Sequence, residues 1–425
     1  MAISSSGVLM DTLRQQSLLS PEQLAQLPHL SIGRCSDARS VAKMLIQRGW
    51  LSVYQVNQLL IGNTQDLNIG PYAVIDKLGQ GGLSQVYKGR HRETDAIVAI
   101  KIIKAEVFAN AEGRQQFLQE VDAMARLDHE NIVQFCDADQ WRDTFYFAME
   151  YVDGTDLGKV IRLCGPLAVH ETCDLIRQAA LGLQHAYERN LIHRDIKPVN
   201  LFLTQTAVQN PAMAMFATKN ESPTSESPTV VARSIIKILD WGLASLKKPI
   251  GANKELVNES VARSIVGTAD YLAPEQARNS CMADIRSDIY SLGCTCYFLL
   301  TGQPPFPDGA LMQKILQHQQ AEPKPLAEFR VDVNPGVEAL IKRMMAKAPE
   351  NRFQTPASVA LALSEFTTPP PTQTKSGLLR LQRSKLPTRD DTPLPPPLAG
   401  RPVTPRSPDD TECSSLDDSK KTLHH

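Results

Sequence analysis

This 425-residue chain lacks several things, and each absence excludes a class of function. None of its eight cysteines (35, 136, 164, 173, 281, 294, 296 and 413) falls in a CxxC pair, which argues against a zinc finger or ribbon. They read as reduced thiols of a cytoplasmic protein. No run approaches the ~20 apolar residues that cross a bilayer, so no membrane span is expected. The opening Met-Ala-Ile-Ser-Ser-Ser-Gly has no basic stretch ahead of an apolar core, so no secretory leader is expected either. An excess of either charge is also missing. The 45 Lys and Arg against 46 Asp and Glu leave a formal charge of −1, so neither nucleic acid nor an anionic membrane is an expected partner.

Hydrophobic content of 42% is enough for a sizeable core. Residues 1–66 read as a small helical segment. Ser20 with Gln23 and Ser52 with Gln55 form capping boxes, the first with Pro21 at the opening helical position. Val41, Ala42, Leu45 and Ile46 make an apolar stripe that stops at Gly49, and a further helix stops at Gly62. Such short helices suggest DNA binding, but Arg34, Arg39, Lys43 and Arg48 are too few for a phosphate footprint. The expectation is a docking or regulatory module. At the other end, residues 367–425 lose all apolar period and gather Pro369–Pro371, Pro395–Pro397 and Ser407-Pro, which reads as a disordered tail able to dock a polyproline-binding partner.

Between these lies the chemistry. His193-Arg-Asp-Ile-Lys-Pro-Val-Asn200 sets a carboxylate, an ammonium and a carboxamide within eight residues. Asp195 can accept a hydroxyl proton, Lys197 can sit against a phosphate, and the Asn200 oxygen suits a hard cation. Upstream, Gly79-Gln-Gly81-Gly82-Leu-Ser84 stands between strand-like runs, Tyr72–Leu78 and Gln85–Lys88. A dinucleotide fold needs a helix after its glycines, and a Walker loop needs GK[ST]; neither is here. Strand, glycine turn and strand let backbone N–H groups lie close over phosphate oxygens. Val98-Ala99-Ile100-Lys101 then places one ammonium among apolar neighbours, where it needs an anionic partner.

In this order the segments resemble those of the protein kinases, in the bacterial, eukaryotic-like serine/threonine form HRDxKPxN. The resemblance spans residues 72–366 and implies an α+β, bilobal kinase fold, with a small β-rich lobe over a larger helical one. It implies that Leu78, Gly79, Gln80, Gly81, Gly82, Leu83, Ser84, Gln85, Val86 and Ala99 cover ATP, and that Lys101, held by Glu120, grips its phosphates. Met149 would border the adenine, the Glu150–Val152 backbone would bind the base, and Asp156 would contact the ribose. Asn200 and Asp240 would hold Mg2+ or Mn2+. Trp241 stands where the family usually has Phe, followed by Gly242. Gly267-Thr268 to Glu275 would close an activation segment with Ser260 or Ser264 as autophosphorylation site and Arg194 as phosphate partner. Thr268 would shape the substrate hydroxyl site, Asp288 would hold the catalytic loop, and Arg352 would pair with Glu275.

The function so implied is transfer of the γ-phosphate of Mg-ATP to Ser or Thr of protein substrates in signalling. Lys197, two residues past Asp195, favours Ser/Thr over Tyr. A nucleotide-binding scaffold without transfer is the alternative, but every polar group it would have lost is present. Residues 204–234, rich in Ser, Thr and Pro, read as a flexible insertion. Two helical stripes, Cys173, Ile176, Ala180, Leu183, Tyr187 and Val359, Leu361, Leu363, Phe366, are expected to face the core.

Overall fold

The computed structural model describes residues 3, 5–27, 37–80, 84–103, 111–208, 231–241, 269–279 and 283–368. The N-terminal helices are α1 (Ser6–Gln16), α2 (Pro21–Gln26), α3 (Ala38–Gln47) and α4 (Val53–Ile61). Both expected capping boxes form: Ser20 and Gln23 bond reciprocally at 2.9 and 3.2 Å, Ser52 and Gln55 at 2.9 and 3.0 Å. Gly62 ends α4 with φ of 80°, a left-handed conformation glycine adopts without strain. Leu9, Leu13, Val41, Leu45, Val56 and Leu59 interdigitate as a core of their own. Helix α1 carried no sequence signal used above; its Ser5 cap makes no side-chain hydrogen bond.

A six-stranded antiparallel sheet follows, in the order β1-β2-β3-β4-β6-β5. Its strands are β1 (Asn68–Ile69), β2 (Tyr72–Gln80), β3 (Ser84–His91), β4 (Ile97–Ile103), β5 (Phe135–Trp141) and β6 (Thr144–Glu150). It thus begins at Asn68, ahead of the expected 72. Helix α5 (Ala111–Met124) lies between β4 and β5 in the chain. After the sheet, β7 (Gly154–Asp156) leads into α6 (Leu157–Cys164) and the long α7 (Val169–Tyr187). A second, three-stranded sheet runs β7-β8-β9, with β8 (Leu201–Val208) and β9 (Val231–Ile238) paired from Leu201↔Ile238 to Val208↔Val231.

That pairing corrects the expected insertion. Residues 204–208 and 231–234 are strand, continuing the ladder that starts at the buried Leu201 and Ile238; residues 209–230 lie outside the described ones. Helices α8 (Pro274–Arg278), α9 (Ile285–Thr301), α10 (Leu311–Gln320), α11 (Pro335–Met344) and α12 (Pro356–Leu363) complete the larger lobe. Its core centres on α7 and α9, where Ile176, Ala180, Leu183, Ile289, Leu292 and Cys296 are fully buried. Two stripe members face outward instead: Tyr187, in the last turn of α7, is 40% exposed and Leu361 is 74% exposed. Leu361 is two residues from both Val359 and Leu363, about 200° away around the helix from each.

Among the described residues no helix is long and apolar enough to cross a membrane. Cys136, Cys173, Cys294 and Cys296 are free thiols, and Cys35, Cys281 and Cys413 lie outside the described residues, as does the expected tail from 369 onward.

Candidate active site

The polar octet forms the loop between α7 and β8. Its backbone is strapped to α9: the N–H groups of His193 and Arg194 donate to the two Asp288 oxygens at 2.8 and 2.7 Å. Asp288 is 1% exposed. Burial pushes its carboxyl up to about 7, against the pull of those two donors. Arg194 holds a left-handed φ of 62°, a strained conformation for a side-chain-bearing residue. The His193 ring makes two further bonds: Nδ1 accepts from the Asp195 N–H at 3.2 Å and Nε2 lies 2.8 Å from the Leu239 carbonyl. Those partners place the ring proton on Nε2.

Held this way, Asp195 and Lys197 face each other. Lys197 Nζ is 2.9 Å from Asp195 Oδ1 and 3.1 Å from Oδ2, and both residues are 9% exposed. Pro198 opens the 3-10 turn Pro198–Asn200 that brings Asn200 back under the loop. Asn200 Nδ2 donates to the Asp195 carbonyl at 2.8 Å, which fixes how the carboxamide is turned. The Leu239 N–H bonds the Asn200 carbonyl at 2.9 Å, so the end of β9 and this loop are stitched side by side. Asp240 follows directly, again with a left-handed φ, 63°.

Lys101 reaches this point from the middle of the first sheet, where it is paired across from Val86 on β3 and Phe147 on β6. Its ammonium, 7% exposed, lies 2.8 Å from Asp240 Oδ1. This corrects the expected pair with Glu120. Among the described residues no ion pair joins Lys101 to Glu120; Glu120, half-buried on α5, has other partners. The buried ammonium finds its carboxylate at the left-handed turn after β9. Val86 faces Gly79 and Gln85 faces Gln80 across the glycine hairpin, while Ala99 sits beside Met149. Behind Met149 a cleft is walled by Leu127, Val133, Phe135, Phe147 and Trp241, with Lys101 and Asp240 at its polar end.

The remaining expected residues fall differently. Glu150 directs its side chain away, to Lys237 Nζ at 2.8 Å, leaving only backbone for a ligand. Asp156, expected at the ribose, caps α6, its Oδ1 accepting from the Lys159 N–H at 2.8 Å and its Oδ2 lying 3.3 Å from Lys159 Nζ. Val152 is partly buried in the linker. Gly81, Gly82, Leu83, Gly242, Ser260, Ser264, Gly267 and Thr268 lie outside the described residues. Arg352 does pair with Glu275, at 2.7 and 2.9 Å. Trp241 is buried against His193, ring centroids 4.8 Å apart, and its Nε1–H donates to the Ile238 carbonyl at 3.2 Å, a bond phenylalanine could not make.

Two residues went unread in the sequence. Lys237 interrupts the apolar run of β9 just as Lys101 interrupts β4, a signal that applies to both. Gln276 donates to the Arg194 carbonyl at 3.0 Å, tying α8 to the loop. A polar residue on a short helix carried no such signal.

A two-lobed fold with this loop between its lobes defines a class, and sequence comparison agrees with it. The protein kinase domain family matches residues 72–362, and the chain belongs to that family. Serine/threonine-protein kinase PknB of Mycolicibacterium smegmatis is 32% identical over 292 residues, covering 68% of this chain and 41% of that protein. Serine/threonine-protein kinase Pkn1 of Myxococcus xanthus is 32% identical over 337 residues, 78% of this chain and 44% of that one. The chain thus spans less than half the length of these relatives. The kinase domain of Mycobacterium tuberculosis PknI superposes with a TM-score of 0.51 at 24% identity, covering 70% of this chain and 97% of that one, a likeness of fold.

Proposed function

We propose that this chain is a serine/threonine protein kinase transferring the γ-phosphoryl group of ATP to protein hydroxyls. The observation that carries the reading is the buried Asp195–Lys197 pair at 2.9 Å, on a loop whose backbone is pinned by Asp288. Asp195 orients the substrate hydroxyl and takes its proton. Lys197, already beside that carboxylate, neutralises charge building on the transferring group and on the oxygen that attacks it. Lys101 serves the non-transferred phosphates from β4, with Glu120 of α5 available as a second carboxylate. Leu78, Gly79, Gln80, Ser84, Gln85, Val86 and Ala99 cover the nucleotide, Met149 borders its base, and the Glu150–Val152 backbone bonds it. The region is positioning and electrostatics throughout; no side chain need form a covalent intermediate.

Among the described residues no group of three His, Cys, Asp or Glu could hold a metal. What is present is the Asn200 carboxamide and the Asp240 carboxylate on adjoining, hydrogen-bonded segments. Oxygen donors this few fit Mg2+ or Mn2+, which bind one or two protein groups and complete their shell from phosphates and water. Bound there, the cation would neutralise phosphate charge.

Proteins are the proposed substrates, with Lys197 favouring Ser/Thr, a cytoplasmic setting, and autophosphorylation at Ser260 or Ser264. The domain boundaries follow as 1–66, 72–366 and 367–425. Phosphoamino-acid analysis after incubation with labelled ATP, Mg2+ and a basic protein tests the reading. Label in phosphoserine and phosphothreonine is expected; label in phosphotyrosine alone, or in a small molecule, overturns it.

A further inference from the structure

The N-terminal helices were expected to form a docking or regulatory module. The start of α4 engages both strands of the glycine hairpin. Strand β1 covers only Tyr72 and Ala73 of β2. Past that point β2 is an edge, and its pairing slips: Val74 faces Gly89 but Asp76 faces Lys88, so Ile75 is an extra residue, a β-bulge. The carbonyls at this bulge are met by the capping box of α4. Gln55 Nε2 donates to the Val74 carbonyl at 2.8 Å, and the Ser52 hydroxyl donates to the Ile75 carbonyl. Gln55 is 6% exposed, and its Oε1 simultaneously accepts the Ser52 N–H at 2.9 Å. One amide therefore closes the helix cap with its oxygen and holds β2 with its nitrogen.

The intervening residue works on the other strand. The Tyr54 ring packs against Tyr87 at 6.2 Å between centroids, and Tyr87 is the β3 residue facing Lys77, just before β2 slips a second time ahead of Gly79. A β-bulge adds twist to its strand, so whatever fixes the bulge fixes the direction in which the hairpin ends leave the sheet. Those ends are Gly79–Gln80 and Ser84–Val86.

We propose that Gln55 is a positioning residue for nucleotide: acting through the β2 bulge, it sets the attitude of the glycine hairpin over the phosphates. The inference rests on the proposed ATP reading of that hairpin. It gives the helical module a role within the reaction, as a brace on nucleotide affinity.

The molecule contains its own control. Ser20 and Gln23 form the same capping box on α2, exposed, and among the described residues their side chains bond no strand. Glutamate serves a capping box as well as glutamine. Gln55→Glu therefore keeps the cap but removes the donor to Val74, whereas Gln23→Glu changes a cap that touches no strand. In the full chain, KM for ATP and the dissociation constant of a nonhydrolysable ATP analogue, measured by calorimetry, should both rise about tenfold in Gln55→Glu, the scale of one buried hydrogen bond left unmade. The KM for the protein substrate should stay within about twofold. Gln23→Glu should match wild type in all three. Tyr54→Leu, which spares both caps, should raise KM for ATP in the same direction, and decides the matter should Gln55→Glu not fold. Unchanged ATP KM and analogue affinity in folded Gln55→Glu overturns the proposal, as does an equal rise in Gln23→Glu. Absence of phosphoryl transfer in wild type strikes the kinase reading alone, because the analogue affinities still report on the brace.

Discussion

Arg352 is among the largest fully buried side chains of the described residues, and replacing it with methionine should be among the most damaging single changes. A guanidinium has five N–H donors, and here each has an acceptor. Nη1 and Nη2 take the two Glu275 oxygens at 2.7 and 2.9 Å. The Ala346, Arg286 and Lys347 carbonyls take the rest at 2.7, 2.8 and 3.1 Å. The face lies over the Tyr290 ring at 4.8 Å. Arg352→Met leaves Glu275 a buried carboxylate with the Ser287 hydroxyl, at 2.6 Å, as its remaining side-chain donor. Removing one partner of such a pair costs about 3–5 kcal/mol, since the other stays charged and buried. Glu275→Gln in the Arg352→Met background relieves that charge, so the double variant should be more stable than the sum of the two losses by about 1–3 kcal/mol. Urea unfolding followed by circular dichroism, over all four members of the cycle, provides the test. A loss under about 1 kcal/mol in Arg352→Met, or strict additivity, would refute the argument.

Three further outcomes concern Gly154, Trp241 and the response to acid. Gly154→Ala should destabilise by about 1–3 kcal/mol or more and weaken nucleotide binding, because the new Cβ would stand 2.3 Å from the Leu203 carbonyl, which is backbone and cannot swing away; urea titration and ATP KM check it. Trp241→Phe should cost about 1–2 kcal/mol through the lost bond to Ile238 and lost volume, with transfer surviving, as read by unfolding and rate together. Acid should unfold the protein by a predictable route. Burial, with Lys347 nearby, pushes the His318 imidazole down from 6.5 to about 3. The unfolded chain therefore gains this proton first, and the share of stability this group carries, full above pH 6.5, falls as pH drops from there, against the opposite slope of the raised Asp288 carboxyl. Burial alone would raise the Glu275 carboxyl, but Arg352 and Ser287 outweigh it and hold the group below its ordinary 4.5, so its share is lost at still lower pH. His318→Gln should flatten stability between pH 6.5 and 4.5 and leave the lower limb in place.

How far these features were legible depends on where their causes lie. The Ser20 and Ser52 caps and the Gly49 and Gly62 stops are local, and formed as read. The octet, too, was written as consecutive residues. Lys101 needed an anion on sequence grounds, but the one it meets, Asp240, lies 139 positions away and is brought there only by the fold. The insertion was over-read because Ser, Thr and Pro composition hides a ladder whose partner strand starts only at Val231. Nothing in residues 52–55 told that a helix cap would spend its second hydrogen bond on a strand, since the bulge it meets exists only once β2 and β3 pair.

The central claim is that the Asp195 carboxylate acts in phosphoryl transfer and not in holding nucleotide. Asp195→Asn should retain the shape of the loop, with Lys197 and Asn200 in place, and bind the ATP analogue within about threefold of wild type, yet lose transfer by a factor on the order of 100 or more. Incorporation of label by Asp195→Asn equal to that of wild type would contradict the account.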